Sequence, residues 1–128
     1  MKILVVDDSP FMRQAVIKAL SETKYKTAEI AQAGEGKDAL KQFKAGGIDW
    51  VLCDWNMPGM NGLDFLIEAR KIKTPKHVPI LMVTTEGTMA KMEQALEQGA
   101  DRYVVKPFTA ADIERGMDLA ALKMAAKP

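Results

Sequence analysis

Five short apolar runs punctuate the chain, at Ile3–Val6, Thr27–Gln32, Trp50–Cys53, Ile80–Val83 and Tyr103–Val105. They are apolar almost throughout rather than alternating, which predicts strands buried on both faces of a parallel sheet. Thr27–Gln32 is more mixed and predicts an edge strand. Between the runs, apolar residues recur at helical spacing. Met12, Val16, Ala19 and Leu20 mark a first helix, and Ala39, Leu40 and Phe43 a short second one, exposed through Lys37, Lys41 and Lys44. Leu63, Leu66, Ile67 and Ile72 mark a third, Met89, Met92 and Leu96 a fourth, and Ile113, Met117 and Ala120 a fifth.

The boundaries carry their own chemistry. Ser9-Pro10 supplies an N-cap followed by proline at the first helical position, Asn61 can cap the third helix, and Thr109 with Asp112 forms a capping box for the fifth. Gly99 suits the residue just past a helix end. Gly116 inside the fifth helix costs about 1 kcal/mol against alanine, which predicts a marginal hold of that helix on the body. The connection 71–79, with Lys71, Lys73, Lys76 and His77, reads as a solvated loop, and His77 has no obvious carboxylate or metal partner in the sequence.

Strands alternating with helices imply an α/β sheet with right-handed crossovers, and 128 residues without repeats or linkers fit a single domain, 1–128. With 18 basic and 17 acidic residues the net charge is +1, against a dedicated nucleic-acid binder. The single cysteine, Cys53, lies inside an apolar run and reads as a small core hydrophobe in a reducing compartment. Ile3–Val6 is too short for a signal peptide or a membrane span, so a cytoplasmic protein with no membrane association is expected.

The polar residues that interrupt this pattern fall at the carboxyl ends of strands, the edge where open α/β sheets bind ligands. Asp7 and Asp8 follow the first strand, Asp54 the third, Thr84 the fourth and Lys106 the fifth. Three carboxylates held together repel by a few kcal/mol per pair at an effective dielectric of about 20. Either one is protonated or a cation sits among them. Oxygen donors without histidine or cysteine suit a hard cation that keeps several waters, and magnesium fits better than zinc or a caged calcium. Phosphoryl transfer needs a nucleophile, a metal and cationic or hydrogen-bonding groups on the equatorial oxygens. Asp54 as nucleophile, Asp7 and Asp8 as metal ligands, and Lys106 and Thr84 as stabilisers fill those roles. The bland alternative is that the acids cap the first helix while Lys106 pairs with one of them; a cap needs one acceptor, not a pair of acids facing a third.

These residues resemble the receiver domain of bacterial response regulators over essentially the whole chain. The resemblance rests on Val5–Ser9, on Asp54 followed by Met57-Pro58-Gly59 and Gly62, on Thr84 after an apolar strand, and on Lys106-Pro107-Phe108. The stretches Asp54–Pro58 and Val104–Thr109 look most like the stand-alone chemotaxis members. The resemblance implies a flavodoxin-like, doubly wound five-stranded parallel sheet in the order 2-1-3-4-5 with five helices. It also implies Asp54 as the phosphorylated residue, Asp8, Asp54 and the carbonyl of Asn56 as direct Mg2+ ligands, and Asp7 acting mainly through water. Thr84 would bond the phosphoryl group, Tyr103 would be the switching aromatic, and Lys106-Pro107 would be cis. Asn56 and Glu86 hold positions that tune phosphoryl lifetime in the family. Thr85 departs from the family, where a smaller residue is common.

By the same resemblance the protein is not a conventional enzyme; its catalysis is its own phosphorylation and autodephosphorylation. A histidine kinase is the implied phosphodonor. The implied output is a changed face of fourth helix, fifth strand and fifth helix, including Met89, Lys91, Met92 and Tyr103, that controls a partner protein. The flagellar motor switch is one candidate target. A monomer is expected, and with no DNA-binding or enzymatic segment after the fifth helix, output should come through protein binding unless the chain is part of a longer one. The competing reading is a receiver-like binding module that acts without phosphorylation, against which stands the full set of acids and lysine. A nucleotide or flavin site would want a Gly- or Thr-rich loop where Asp7 and Asp8 stand. A haloacid-dehalogenase-type phosphatase would want an acid where Asn56 stands.

Overall fold

In the structure, a computed structural model that describes residues 1–125, strands and helices alternate from end to end. They are β1 (Lys2–Val6), α1 (Pro10–Ser21), β2 (Glu29–Ala33), α2 (Gly36–Ala45), β3 (Trp50–Cys53), α3 (Gly62–Arg70), β4 (Ile80–Thr84), α4 (Met89–Glu97), β5 (Arg102–Val105) and α5 (Ala110–Ala125). All strand pairs are parallel and the order is β2-β1-β3-β4-β5. This is the flavodoxin-like arrangement, and its order reverses between β1 and β3.

The period of two along each strand sorts the apolar residues into two cores. Leu4, Val6, Val51, Cys53, Ile80 and Met82 face one side, where Ala39 and Phe43 of α2, Leu63, Phe65 and Leu66 of α3 and Ala95 of α4 cover them. Ile3, Val5, Trp50, Leu52, Leu81 and Val83 face the other, beneath Val16 and Leu20 of α1 and Ile113 and Met117 of α5. The three central strands are thus buried on both faces, as their unbroken apolar runs require. The outer strand β5 is only half-covered, and its Val105 is exposed.

The helix ends behave as their sequences dictate. The Ser9 hydroxyl accepts from the Met12 amide at 3.2 Å. Asn61 and Asp64 form a reciprocal box, as do Thr109 and Asp112. Gly99 follows the Gln98 cap with φ +110°, a conformation glycine adopts without strain.

Three expectations change. The second strand starts at Glu29, opposite Lys2, because a turn in which the Ala28 amide donates to the Tyr25 carbonyl takes up the preceding residues. Ile72 lies past the end of α3. On α4 the fully buried residue is Ala95, while Met89 and Leu96 are exposed and Met92 is half-buried. The inward position of α4 is held by a methyl side chain. Gly116 lets α5 approach closely: a Cβ there would lie 3.3 Å from both Leu81 and Val104.

The connection 71–79 is likewise more than solvated chain, since Val78 is buried and His77 has a partner. Asp101, just before β5, is 5% exposed and has both carboxylate oxygens engaged. Its Oδ2 accepts from Arg70 Nη2 at 2.9 Å and from the Ile80 amide at 2.8 Å, and its Oδ1 meets His77 Nε2 at 2.9 Å. Arg70 also donates to the Gly99 and Val78 carbonyls. The clasp ties the end of α3 to the starts of β4 and β5.

Candidate functional site: an acidic cluster at the carboxyl edge of the sheet

Pairing β1 with β3 brings Val6 opposite Cys53, so the residues that follow each strand, Asp7 and Asp54, emerge side by side. Carboxylate oxygens of Asp7, Asp8 and Asp54 all lie within 4.8 Å of one another. Asp7 and Asp54 are buried and Asp8 is exposed. The parallel partner of β4 delivers the cation: the Lys106 amide donates to the Thr84 carbonyl at 2.8 Å, and Lys106 Nζ lies 2.8 Å from Asp7 Oδ2 and 3.7 Å from Asp54 Oδ2. The Lys106-Pro107 peptide is cis, as the resemblance implied.

The three acids are not equivalent. Asp7 is held on both oxygens, by Lys106 on Oδ2 and by the Ser9 amide at 3.0 Å on Oδ1. Arg13, which the sequence reading passed over, donates to the Asp7 backbone carbonyl at 2.6 Å. Asp54 accepts from the Trp55 amide at 2.8 Å through Oδ1. Burial pushes its carboxyl above the ordinary range, and Asp7 pushes the same way; the Thr84 hydroxyl, Lys106 and the Trp55 amide pull it back. One lysine among three acids leaves the cluster under-neutralised. An all-oxygen donor set with a carboxyl destabilised in its charged form fits a small hard cation.

Space opens on the side away from Lys106. Asp8, Trp55, Asn56, Met57 and Lys91 line a cavity there, which puts Asn56 beside the exposed acid. Gly62 permits the loop after β3 to close: a Cβ at that residue would stand 2.0 Å from the Asp54 carbonyl oxygen. Thr84 is fully buried, and its hydroxyl accepts from the Glu86 amide at 3.3 Å. Tyr103 packs half-buried against the α2–α4 core, and its hydroxyl donates to the Glu86 carbonyl. Desolvation raises the Tyr103 phenol to about 12, so it remains a donor. Thr84 and Tyr103 thus meet the same short segment between β4 and α4.

Cys53 is buried and free, and burial pushes its thiol up, as a core residue rather than a nucleophile. Among the described residues no helix is long and apolar enough to cross a membrane.

Known proteins carry the same pattern. The family model of the response regulator receiver domain matches residues 3–118. The chemotaxis protein CheY-3 of Vibrio cholerae is 41% identical over 118 residues, covering 92% of this chain and 89% of its own. The chemotaxis protein CheY of Pseudomonas aeruginosa is 42% identical over 110 residues, covering 86% and 87%. The crystal structure of Vibrio cholerae CheY4 superposes with a TM-score of 0.81 at 33% identity, over 91% of this chain and 95% of that one. A receiver domain from Clostridium thermocellum gives the same score at 31% identity, covering 95% and 94%. Receiver domains serve phosphorylation-based signalling, typically between histidine kinases and downstream effectors, and Asp7, Asp8 and Asp54 form the acidic triad of such a site. The chain belongs to the response regulator receiver domains and is homologous to the chemotaxis regulators of the CheY type.

Proposed function

We propose that the protein is a phospho-aspartate switch of a two-component or chemotaxis system, phosphorylated on Asp54 by a histidine kinase in the presence of Mg2+. The observation that carries this reading is the under-neutralised cluster, three carboxylates within 4.8 Å served by one lysine. Asp8, Asp54 and the Asn56 carbonyl would hold the metal. Asp7, already bonded on both oxygens, would reach it through water. Magnesium, when bound, supplies positive charge to the phosphoryl oxygens. The chain's own residues do the rest. Trp55 holds Asp54 Oδ1 and leaves Oδ2 to attack phosphorus; the bond from phosphorus to the donor breaks, and the donor leaves with its electron pair. Lys106 meets the added charge from the floor of the site, and the Thr84 hydroxyl from the side of β4.

Output follows from packing. Drawing the Thr84 hydroxyl toward a phosphoryl group changes the segment that Tyr103 grips at Glu86, and so the face of α4, β5 and α5. Two discrete packings of that face, with populations shifted by phosphorylation, constitute the switch. Its target is a partner protein, for which the flagellar motor switch is the candidate suggested by the chemotaxis relatives.

Incubation with a small acyl phosphate and magnesium should add one phosphate, labile to base and hydroxylamine. Asp54→Ala should abolish it, whereas Thr84→Ala should leave incorporation intact and weaken the spectral response at Tyr103. Stable phosphoserine or phosphothreonine overturns the reading. Partner binding that ignores phosphorylation would favour a binding module instead.

A further inference from the structure

The site has two lysines in contrasting states. Lys106 is 9% exposed and locked to Asp7. Lys91, in the first turn of α4, lies with Nζ 4.7 Å from the centre of the Trp55 ring, and among the described residues its ammonium has no carboxylate within 4.0 Å. It lines the same cavity as Asp8 and Asn56, on the open side of the cluster. Trp55 is 5% exposed, so the lysine lies over an already buried ring. A cation over an indole face gains about 0.5–1 kcal/mol where solvent reaches it, enough to place the ammonium but too little to trap it. The helix that carries it is itself lightly anchored, with Ala95 its one fully buried residue.

We propose that Lys91 is a specificity residue of the phosphorylation reaction: its unpaired ammonium, parked over Trp55 at the open mouth, draws dianionic small phosphodonors toward Asp54. This rests on Asp54 being the phosphoryl acceptor. Three acids and one paired lysine are only just neutralised by a divalent cation, so the site itself offers an approaching phosphate no net positive charge. A second positive charge at the entrance supplies that charge during encounter, and it acts on the encounter rate rather than on the chemical step. The same charge opposes entry of magnesium, so removing it has opposite effects on the two ligands. A merely structural lysine would not produce that pair of effects.

The test measures phosphate incorporation from acetyl phosphate against ionic strength, alongside magnesium titrations read by tryptophan fluorescence, in wild type, Lys91→Gln and Lys91→Arg. Lys91→Gln should lower the second-order rate about threefold to tenfold at low salt, with the gap closing as salt screens the charge. The rate at saturating donor should hold. Magnesium should bind the same variant about twofold to fourfold more tightly, as one charge acting through water permits. Lys91→Arg should restore the salt-dependent rate. Equal low-salt rates in wild type and Lys91→Gln, or a deficit that persists unchanged at high salt, overturn the role of Lys91 while leaving Asp54 as acceptor. Failure of the wild type itself to take up phosphate on Asp54 overturns the acceptor reading and the proposal with it.

Discussion

At the amino ends of β4 and β5, Asp101 is buried with every oxygen engaged, by Arg70, His77 and the Ile80 amide. At the carboxyl ends of β1 and β3, Asp7 and Asp54 are as deeply buried, yet they share one lysine and stand beside a third acid. Both regions bury charge, which costs free energy unless partners replace water. The first region has that replacement built in, and its role is to hold three elements together. The second has hydrogen-bond donors for Asp7 and for one oxygen of Asp54 but too little positive charge for three acids, so its stability depends on what binds. A buried aspartate is therefore no sign of function by itself. The balance of donors around it tells the two cases apart.

The sharpest way to break this comparison is to remove an aspartate from each region. Asp101→Ala leaves Arg70 without its carboxylate, and desolvation already disfavours the charged guanidinium there. We expect a loss of about 2–3 kcal/mol in urea unfolding, below the range for a fully buried pair because Arg70 keeps 22% exposure. Asp54→Ala in chelator should do the reverse and stabilise by about 1 kcal/mol, since it relieves repulsion maintained for function. Asp8→Ala should change stability in the same direction. Magnesium should raise the unfolding midpoint of the wild type through binding linkage and that of both variants less. A lower midpoint for both acid variants in chelator would erase the contrast between the regions.

The smallest effect is in the pH profile. Burial raises the Asp54 carboxyl in the folded state, so the folded protein holds that proton to higher pH than the unfolded chain. The stabilisation is fully present below the unfolded value and is lost as pH rises through the folded one. In chelator, the stability of wild type relative to Asp54→Asn should therefore decline across that window. Urea midpoints at stepped pH read it directly, and a wild type that gains stability relative to Asp54→Asn as pH rises would contradict the assignment.

The local devices were legible because they act over three or four residues. The Ser9, Asn61 and Thr109 caps, the turn at Gly99 and the helix and strand periods follow from short-range sterics and hydrogen bonding. The site residues were legible because strand ends are, and parallel pairing carries consecutive strand ends to one edge. The partners of His77 and the packing of α4 were not. His77 meets Asp101 across 24 residues, and no local pattern encodes that contact. Met89 and Leu96 satisfy a helical period as well as Ala95 does, and only the packing of α4 on the folded sheet turns Ala95 inward and leaves the larger two outside.

By itself, then, the sequence determined which residues would carry charge at the sheet edge, because that depends on strand length and the period of two. Tertiary structure alone decided how much of that charge is neutralised. Pairing of β4 with β5 brings Lys106 to Asp7 across 99 residues, while the side of the cluster facing Asn56 and Lys91 stays open. Electrostatic energy falls off with distance through space and not along the chain, so the difference between an aspartate with balanced charge around it and one without emerges only when the chain is folded.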